Sequence, residues 1–188
     1  MTSRDRLHWD EVYSHPADEP YPPPDPLLFP FTPPLRVTPS ATALDLAGGL
    51  GQNALWLAAQ GYVVDLVDIS RVALTRAQKE ANIRGVRGIN FYQLDLDESS
   101  LEPATYDLIV VFRFLSRPLM PQIRAALRPG GRIIYQTFNT RLLESKPDMN
   151  PDYLLRLGEL AGFFGDWRIL RISEPAHISQ IVAVKPVR

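Results

Sequence analysis

Cysteine is missing from all 188 residues, and histidine occurs only at positions 8, 15 and 177. Without a thiol the chain can form no disulfide, no thiolate–zinc site and no cysteine nucleophile. Three scattered histidines do not suggest a metal site, so none is expected. No hydrophobic run reaches the ~20 residues that a membrane helix needs, and the N-terminus lacks the apolar core of a signal peptide. An excess of one charge is also absent: 20 basic against 21 acidic side chains leave a net −1. The basic surplus that usually accompanies nucleic-acid binding is therefore missing. The expectation is a cytoplasmic protein with no membrane partner and no nucleic-acid partner. With 45% hydrophobic residues over this length, one well-filled core is expected.

What is present is concentrated in Thr42–Gly51, read Thr-Ala-Leu-Asp-Leu-Ala-Gly-Gly-Leu-Gly. A short apolar run carries one acid, Asp45, then breaks into Gly48, Gly49 and Gly51, and Asn53–Gln60 continues as an apolar helix. Strand, glycine turn and helix open a doubly wound α/β sheet. A carboxylate near the end of a buried strand is costly unless something pairs with it.

The rest of the chain extends this pattern. Residues 5–14 predict a short helix with Leu7, Val12 and Trp9 inward, stopped by Pro16. Ten of the 18 prolines fall between Pro16 and Pro39, with Tyr21, Phe29 and Phe31 among them. So much proline predicts extended chain without helix, and residues 1–39 read as a leader or lid ahead of a domain over 40–188. Strands are predicted at Tyr62–Asp68, Ile89–Leu94, Tyr106–Phe112, Arg132–Phe138, Arg168–Ile172 and Ile178–Val184. Helices are predicted from the Ser70 cap to about Asn82, from Ser116 and Pro118 to Leu127, and from Asn150 through Ala161. The run Pro129-Gly130-Gly131 is expected to end the second of these. The short link between the last two strands predicts an antiparallel last strand. The fold class is α/β: a Rossmann-like, seven-stranded, mostly parallel sheet.

Two cofactor classes fit the glycine turn. Gly49-Leu-Gly51-Gln-Asn-Ala54 satisfies the dinucleotide pattern, with Asp68 as the ribose acid. Against it stands Asp45, because a carboxylate repels a pyrophosphate and attracts an ammonium. Asp45, Asp68 and Asp95 fall at the ends of three successive strands, whose carboxyl ends line one crevice in such a sheet. Asp68 can accept both hydroxyls of a ribose. Asp95 and the Leu96 N–H can meet an adenine.

Asp45-Leu-Ala-Gly-Gly-Leu-Gly51, Asp68, Gln93-Leu-Asp95-Leu96, Tyr106-Asp-Leu-Ile-Val-Val and Leu127-Arg-Pro-Gly-Gly131 together resemble class I S-adenosylmethionine-dependent methyltransferases. The resemblance covers about residues 40–140, and Ala47 stands where the family pattern has its first glycine, as in the tellurite-resistance-type group. It implies S-adenosylmethionine as cofactor, bound by Asp45, Ala47, Gly48, Gly49, Gly51, Asp68, Ile69, Asp95, Leu96 and Phe112. It also implies methyl transfer by in-line attack. The lack of an Asn-Pro-Pro-Tyr/Phe run after the fourth strand, the lack of cysteine and a net charge near zero point to a small-molecule acceptor. The alternatives are a non-catalytic S-adenosylmethionine-binding protein and a nicotinamide-nucleotide oxidoreductase. A sulfonium methyl is already activated, so no catalytic residue is obligatory. Arg113, as an anchor for an anionic acceptor, and His177, as a base, are the catalytic candidates. Trp9, Tyr13 and Tyr21 are candidate walls around the sulfonium.

Overall fold

The computed structural model describes residues 3–14, 20–35 and 41–187. The sequence-based expectations for His15, Pro16 and Pro39 lie outside them. Among the described residues, seven strands form a mostly parallel α/β sheet with an antiparallel last strand. Residues 1–100 and 101–188 are two compact units.

The first unit contains β1 (Thr42–Leu46), β2 (Val63–Asp68) and β3 (Ile89–Gln93), all parallel, in the order β3-β2-β1. β1 and β2 are short apolar runs whose Leu44, Leu46, Val64 and Leu66 are fully buried, the signature of parallel strands covered on both faces. Between them runs α3 (Gln52–Ala59), and after β2 comes α4 (Arg71–Arg84). Ser70 caps α4 as the sequence predicts, its Oγ accepting from the Ala73 N–H at 3.1 Å. Ala73, Ala77 and Ala81 then bury one stripe of α4.

The leader departs from expectation twice. Helix α1 (Ser3–Ser14) forms, but Leu7, Trp9 and Val12 are 64%, 37% and 43% exposed and do not face inward. Asp10 and Tyr13, three residues apart on one helix face, make the contacts with α4 instead. Polar acceptors on α1 meet open donors on α4, and this decides the orientation against the apolar pattern. Second, the proline-rich stretch contains one helical turn, α2 (Leu28–Phe31), with Pro30 inside it. A first helical turn has no intrahelical acceptor for its N–H groups, so proline costs little there. Leu27 and Leu28 are buried, and the Phe29 ring meets Trp56 edge-on at 5.4 Å.

The second unit contains β4 (Tyr106–Phe112), α5 (Met120–Ala126), β5 (Leu127–Phe138), α6 (Glu159–Phe164), β6 (Arg168–Ser173) and β7 (Ile178–Val184). Its strand order is β4-β5-β7-β6, with β4 parallel to β5 and β7 antiparallel to both neighbours. The helix expected to reach Leu127 stops at Ala126, and Pro129-Gly130-Gly131 lies inside β5 rather than ending a helix. Tyr106 pairs with Leu127 and Leu108 with Arg132, so the glycines form a bulge. The helix is ended by Lys185, whose ammonium donates to the carbonyls of Arg124 and Leu127, both at 2.7 Å. The helix expected from Asn150 is instead a 3₁₀ turn (Pro151–Tyr153) and the separate α6. Leu155 is drawn into a bridge with Asn139, and Gly158 at φ +78° breaks the path.

Candidate cofactor site

The site is built on the turn from β1 to α3. The Gly48 N–H donates to the Val67 carbonyl at 3.1 Å, and the Gly51 N–H returns to the Gly48 carbonyl at 2.9 Å. Ala47, the family's departure from glycine, sits at φ +53°, in the left-handed region that favours glycine. Beneath the turn lies Asp45, 1% exposed. Its Oδ2 accepts from the Ala54 N–H at 3.0 Å, a donor of the first helical turn. Its Oδ1 is buried with no hydrogen-bond partner among the described residues. Burial pushes the Asp45 carboxyl up to about 7, opposed by the Ala54 amide and reinforced by the Asp68 charge. A half-satisfied buried acid is an acceptor waiting for a donor.

Asp68 ends β2 and is 6% exposed. One oxygen accepts from the Gly49 N–H and the other from the Ser70 N–H, each at 2.8 Å, so the carboxylate clips the glycine turn to the start of α4. Burial raises its pKa despite these amides, and the Asp10 charge adds to the rise. Ile69, buried behind it, accepts from Gln93 Nε2 at 3.1 Å. Asp95 follows β3 in a turn, where its Oδ1 accepts from the Asp97 N–H at 3.0 Å. Leu96 beside it is buried. The parallel register sets Asp45 opposite Leu66 and Asp68 opposite Gln93. All three acids are therefore at the carboxyl ends of their strands, where ligands bind in such sheets.

Residues 9–25 supply further contacts, some from the aromatic residues named in the sequence and some, from Asp10 and Asp25, that the sequence did not suggest. If Gly49 carried a Cβ, it would lie 2.5 Å from the Tyr13 hydroxyl. Trp9 stacks on Tyr13 at 5.8 Å. Asp10 Oδ1 accepts from Ser70 Oγ at 2.7 Å and from the Val72 N–H at 3.2 Å. The Tyr21 hydroxyl donates to the Leu50 carbonyl, and burial, first among several causes, pushes it up to about 12. Asn53 Oδ1 accepts from the Asp25 N–H at 2.8 Å. The glycine turn is thus approached at Gly49 and Leu50, and the first turn of α3 is held at Asn53. The signal available for Asp10 was its spacing from Tyr13 on one helix face. Tyr21, expected from the sequence as a wall around the sulfonium, bonds the Leu50 carbonyl, and Asn53 gave no signal because its partner Asp25 is distant in sequence.

The remaining candidates belong to the second unit. Phe112, half-buried, ends β4. Arg113 follows at φ +57°, its N–H donating to the Gln136 carbonyl at 2.8 Å. Its side chain is exposed and has no hydrogen bond or ion pair among the described residues. His177 lies in the β6–β7 link, 5.9 Å from the Phe138 ring, with its carbonyl accepting from the Asn139 N–H. Tyr135 packs: it is fully buried and its hydroxyl donates to the Phe114 carbonyl at 2.8 Å.

Residues 43–131 match the family model described as a methyltransferase domain. Over that stretch the chain is similar to the class I S-adenosylmethionine-dependent methyltransferases, the family that the sequence motifs resemble. S-adenosylmethionine is the cofactor of this family, and the orphaned Asp45 oxygen fits the ammonium that this cofactor carries. Hemagglutinin 1 of Eikenella corrodens is 32% identical over 73% of this chain and 47% of its own. The tRNA 5-carboxymethoxyuridine methyltransferase of Escherichia coli is 30% identical over 59% of this chain and 46% of its own. The chain therefore spans about half the length of the curated relatives it matches. Among solved structures, TehB from Haemophilus influenzae superposes with a TM-score of 0.68 at 19% identity, covering 78% of this chain and 58% of that one. A methyltransferase from Methanosarcina mazei gives 0.67 at 18%, covering 88% and 100%. These likenesses show the fold. Among the described residues no helix is long and apolar enough to cross a membrane.

Proposed function

We propose that this methyltransferase is an enzyme acting on a small-molecule acceptor, with the glycine turn as its cofactor cradle. The observation that carries the reading is Asp45, a buried carboxylate under the turn with one unpartnered oxygen. Leaving a buried acceptor unsatisfied is expensive, and more so for a charged one. An ammonium removes that cost, whereas a pyrophosphate adds repulsion. This separates S-adenosylmethionine from a nicotinamide dinucleotide.

In the proposed assignment, Asp45 and Gly48 hold the amino-acid end, beside Ala47. Gly49 and Gly51 allow close approach, Asp68 and Ile69 take the ribose, and Asp95 and Leu96 take the adenine. Phe112 is assigned to the cofactor on the family resemblance alone. When bound, the cofactor supplies a methyl group on an already activated sulfonium. The chain's own task is to bind, orient and exclude water. Arg113 is proposed to anchor an anionic acceptor, since a guanidinium fork matches carboxylates and oxyanions. His177 is the proposed base for an acceptor that arrives protonated.

A net charge of −1 favours a small acceptor over RNA. The tRNA-modifying relative favours the second reading, in which the acceptor is a tRNA base. The reading includes a cytoplasmic location. Calorimetry of the full chain with S-adenosylmethionine, S-adenosylhomocysteine and NAD in parallel tests it. Micromolar binding of the first two and none of NAD is expected, and NAD binding alone would overturn it. Acceptor-dependent formation of S-adenosylhomocysteine, with small carboxylates and bulk tRNA in separate arms, then decides between the acceptors. It also separates an enzyme from a protein that only binds the cofactor.

A further inference from the structure

We propose that Asp10 is a positioning residue that latches helix α1 over the glycine turn, so that Tyr13 closes on the bound cofactor and slows its release. The proposal rests on the reading of that turn as the cofactor cradle.

α1 is not held by a core. None of its described side chains is buried, and the apolar Leu7 and Val12 face solvent. Polar contacts with α4 do the holding. One is Asp10, whose single oxygen Oδ1 accepts from both Ser70 Oγ and the Val72 N–H. These groups stand at the N-terminus of a 14-residue helix, where the dipole and the open N–H groups favour an anion. Another lies a turn further along α4, where Arg76 Nη1 donates to the Tyr13 carbonyl at 2.8 Å. A helix fixed mainly by a few hydrogen bonds opens at low cost compared with one that buries an apolar face.

The latch also connects to the site. Ser70, which donates its hydroxyl to Asp10, donates its N–H to Asp68, and Asp68 in turn accepts from the Gly49 N–H. Above Gly49 sits the Tyr13 hydroxyl, in the space a Cβ would take. A continuous set of hydrogen bonds thus runs from Asp10 through Ser70 to the proposed ribose acid and Gly49, and the same helix carries Tyr13 over that glycine. Opening α1 removes Tyr13, and the Trp9 stacked on it, while the sheet and α4 keep their own contacts.

The test is the dissociation rate of S-adenosylhomocysteine from the full chain, measured by stopped-flow displacement. Asp10→Ala is expected to release the ligand at least about tenfold faster, the effect of losing bonds to a charged acceptor. Asp10→Asn keeps an acceptor at Oδ1 and is expected to stay within about threefold of wild type. A merely structural role would not distinguish the two, and thermal unfolding shows whether each variant is folded. Arg76→Ala, which cuts the second contact, is expected to speed release as well and serves if Asp10→Ala does not fold. Unchanged release in the folded variants would overturn the latch. Tighter binding in Asp10→Ala would overturn it too, because α1 would then obstruct the cofactor rather than retain it. If wild type itself fails to bind S-adenosylhomocysteine, the cradle reading falls, and the latch with it.

Discussion

Glycines adjoin at two places, Gly48-Gly49 between β1 and α3, and Gly130-Gly131 within β5, and their surroundings differ in kind. At the first, the Gly49 N–H donates to a side chain, Asp68, and the atoms nearest a Cβ there belong to Tyr13. At the second, the main chain is used up by main chain: the Gly130 N–H donates to the Lys185 carbonyl and the Lys185 N–H to the Gly131 carbonyl, both at 2.9 Å. A Cβ on Gly131 would lie 2.8 Å from the Arg128 carbonyl oxygen and 3.2 Å from that of Tyr106. One pair faces ionisable groups and a helix that can lift away. The other faces rigid backbone. What a glycine turn does is set by what it faces, and only the first faces a buried acid with an oxygen to spare.

Substitutions can break this contrast. The largest stability loss is expected from Gly51→Ala. It places a Cβ at φ +72°, 2.7 Å from Leu66 Cδ2 and 3.1 Å from Ala77 Cβ. Left-handed strain and overpacking together should cost about 3 kcal/mol in denaturant unfolding. Gly131→Ala is expected to cost about 2 kcal/mol, since the carbonyls it meets cannot turn aside. Its affinity for S-adenosylhomocysteine should stay at the wild-type value. A Gly131→Ala protein that is folded but no longer binds the ligand would erase the distinction between the two turns. Ala47→Gly should have the smallest effect. It relieves the strain of an alanine at φ +53° but frees the unfolded chain, so unfolding should shift by no more than about 1 kcal/mol, in the stabilising direction.

The first turn was legible in the sequence because its meaning is local. Asp45, the glycines and Asp68 fall within one strand–helix–strand unit, and apolar runs of strand length mark that unit. The second turn was misread for the opposite reason. Pro-Gly-Gly is a sound helix stop by composition, yet α5 is ended by Lys185, far along the chain. The leader failed in the same way. The spacing of Leu7 and Val12 suggested an inward face, but open N–H groups at the start of α4 drew in Asp10 instead. The contacts of Tyr21 with Leu50 and of Asp25 with Asn53 depend on how the proline-rich chain is laid over α3. No local pattern encodes that path.

Asp45, under the first turn, is the proposed receiver of the cofactor's ammonium. Burial sets its folded-state pKa at about 7, above the unfolded value. Between about pH 4 and 7 the folded protein therefore binds more protons than the unfolded chain, and stability falls as pH rises through that window. Ligand affinity runs the other way, since an ammonium needs the ionised carboxylate. The deciding measurement is calorimetric titration of wild type and Asp45→Asn with S-adenosylhomocysteine at pH 5.5 and at pH 7. The wild-type affinity should rise roughly tenfold between the two, and the variant should bind more weakly and show no rise. A wild-type affinity independent of pH, or a variant that binds as tightly as wild type, would contradict the account.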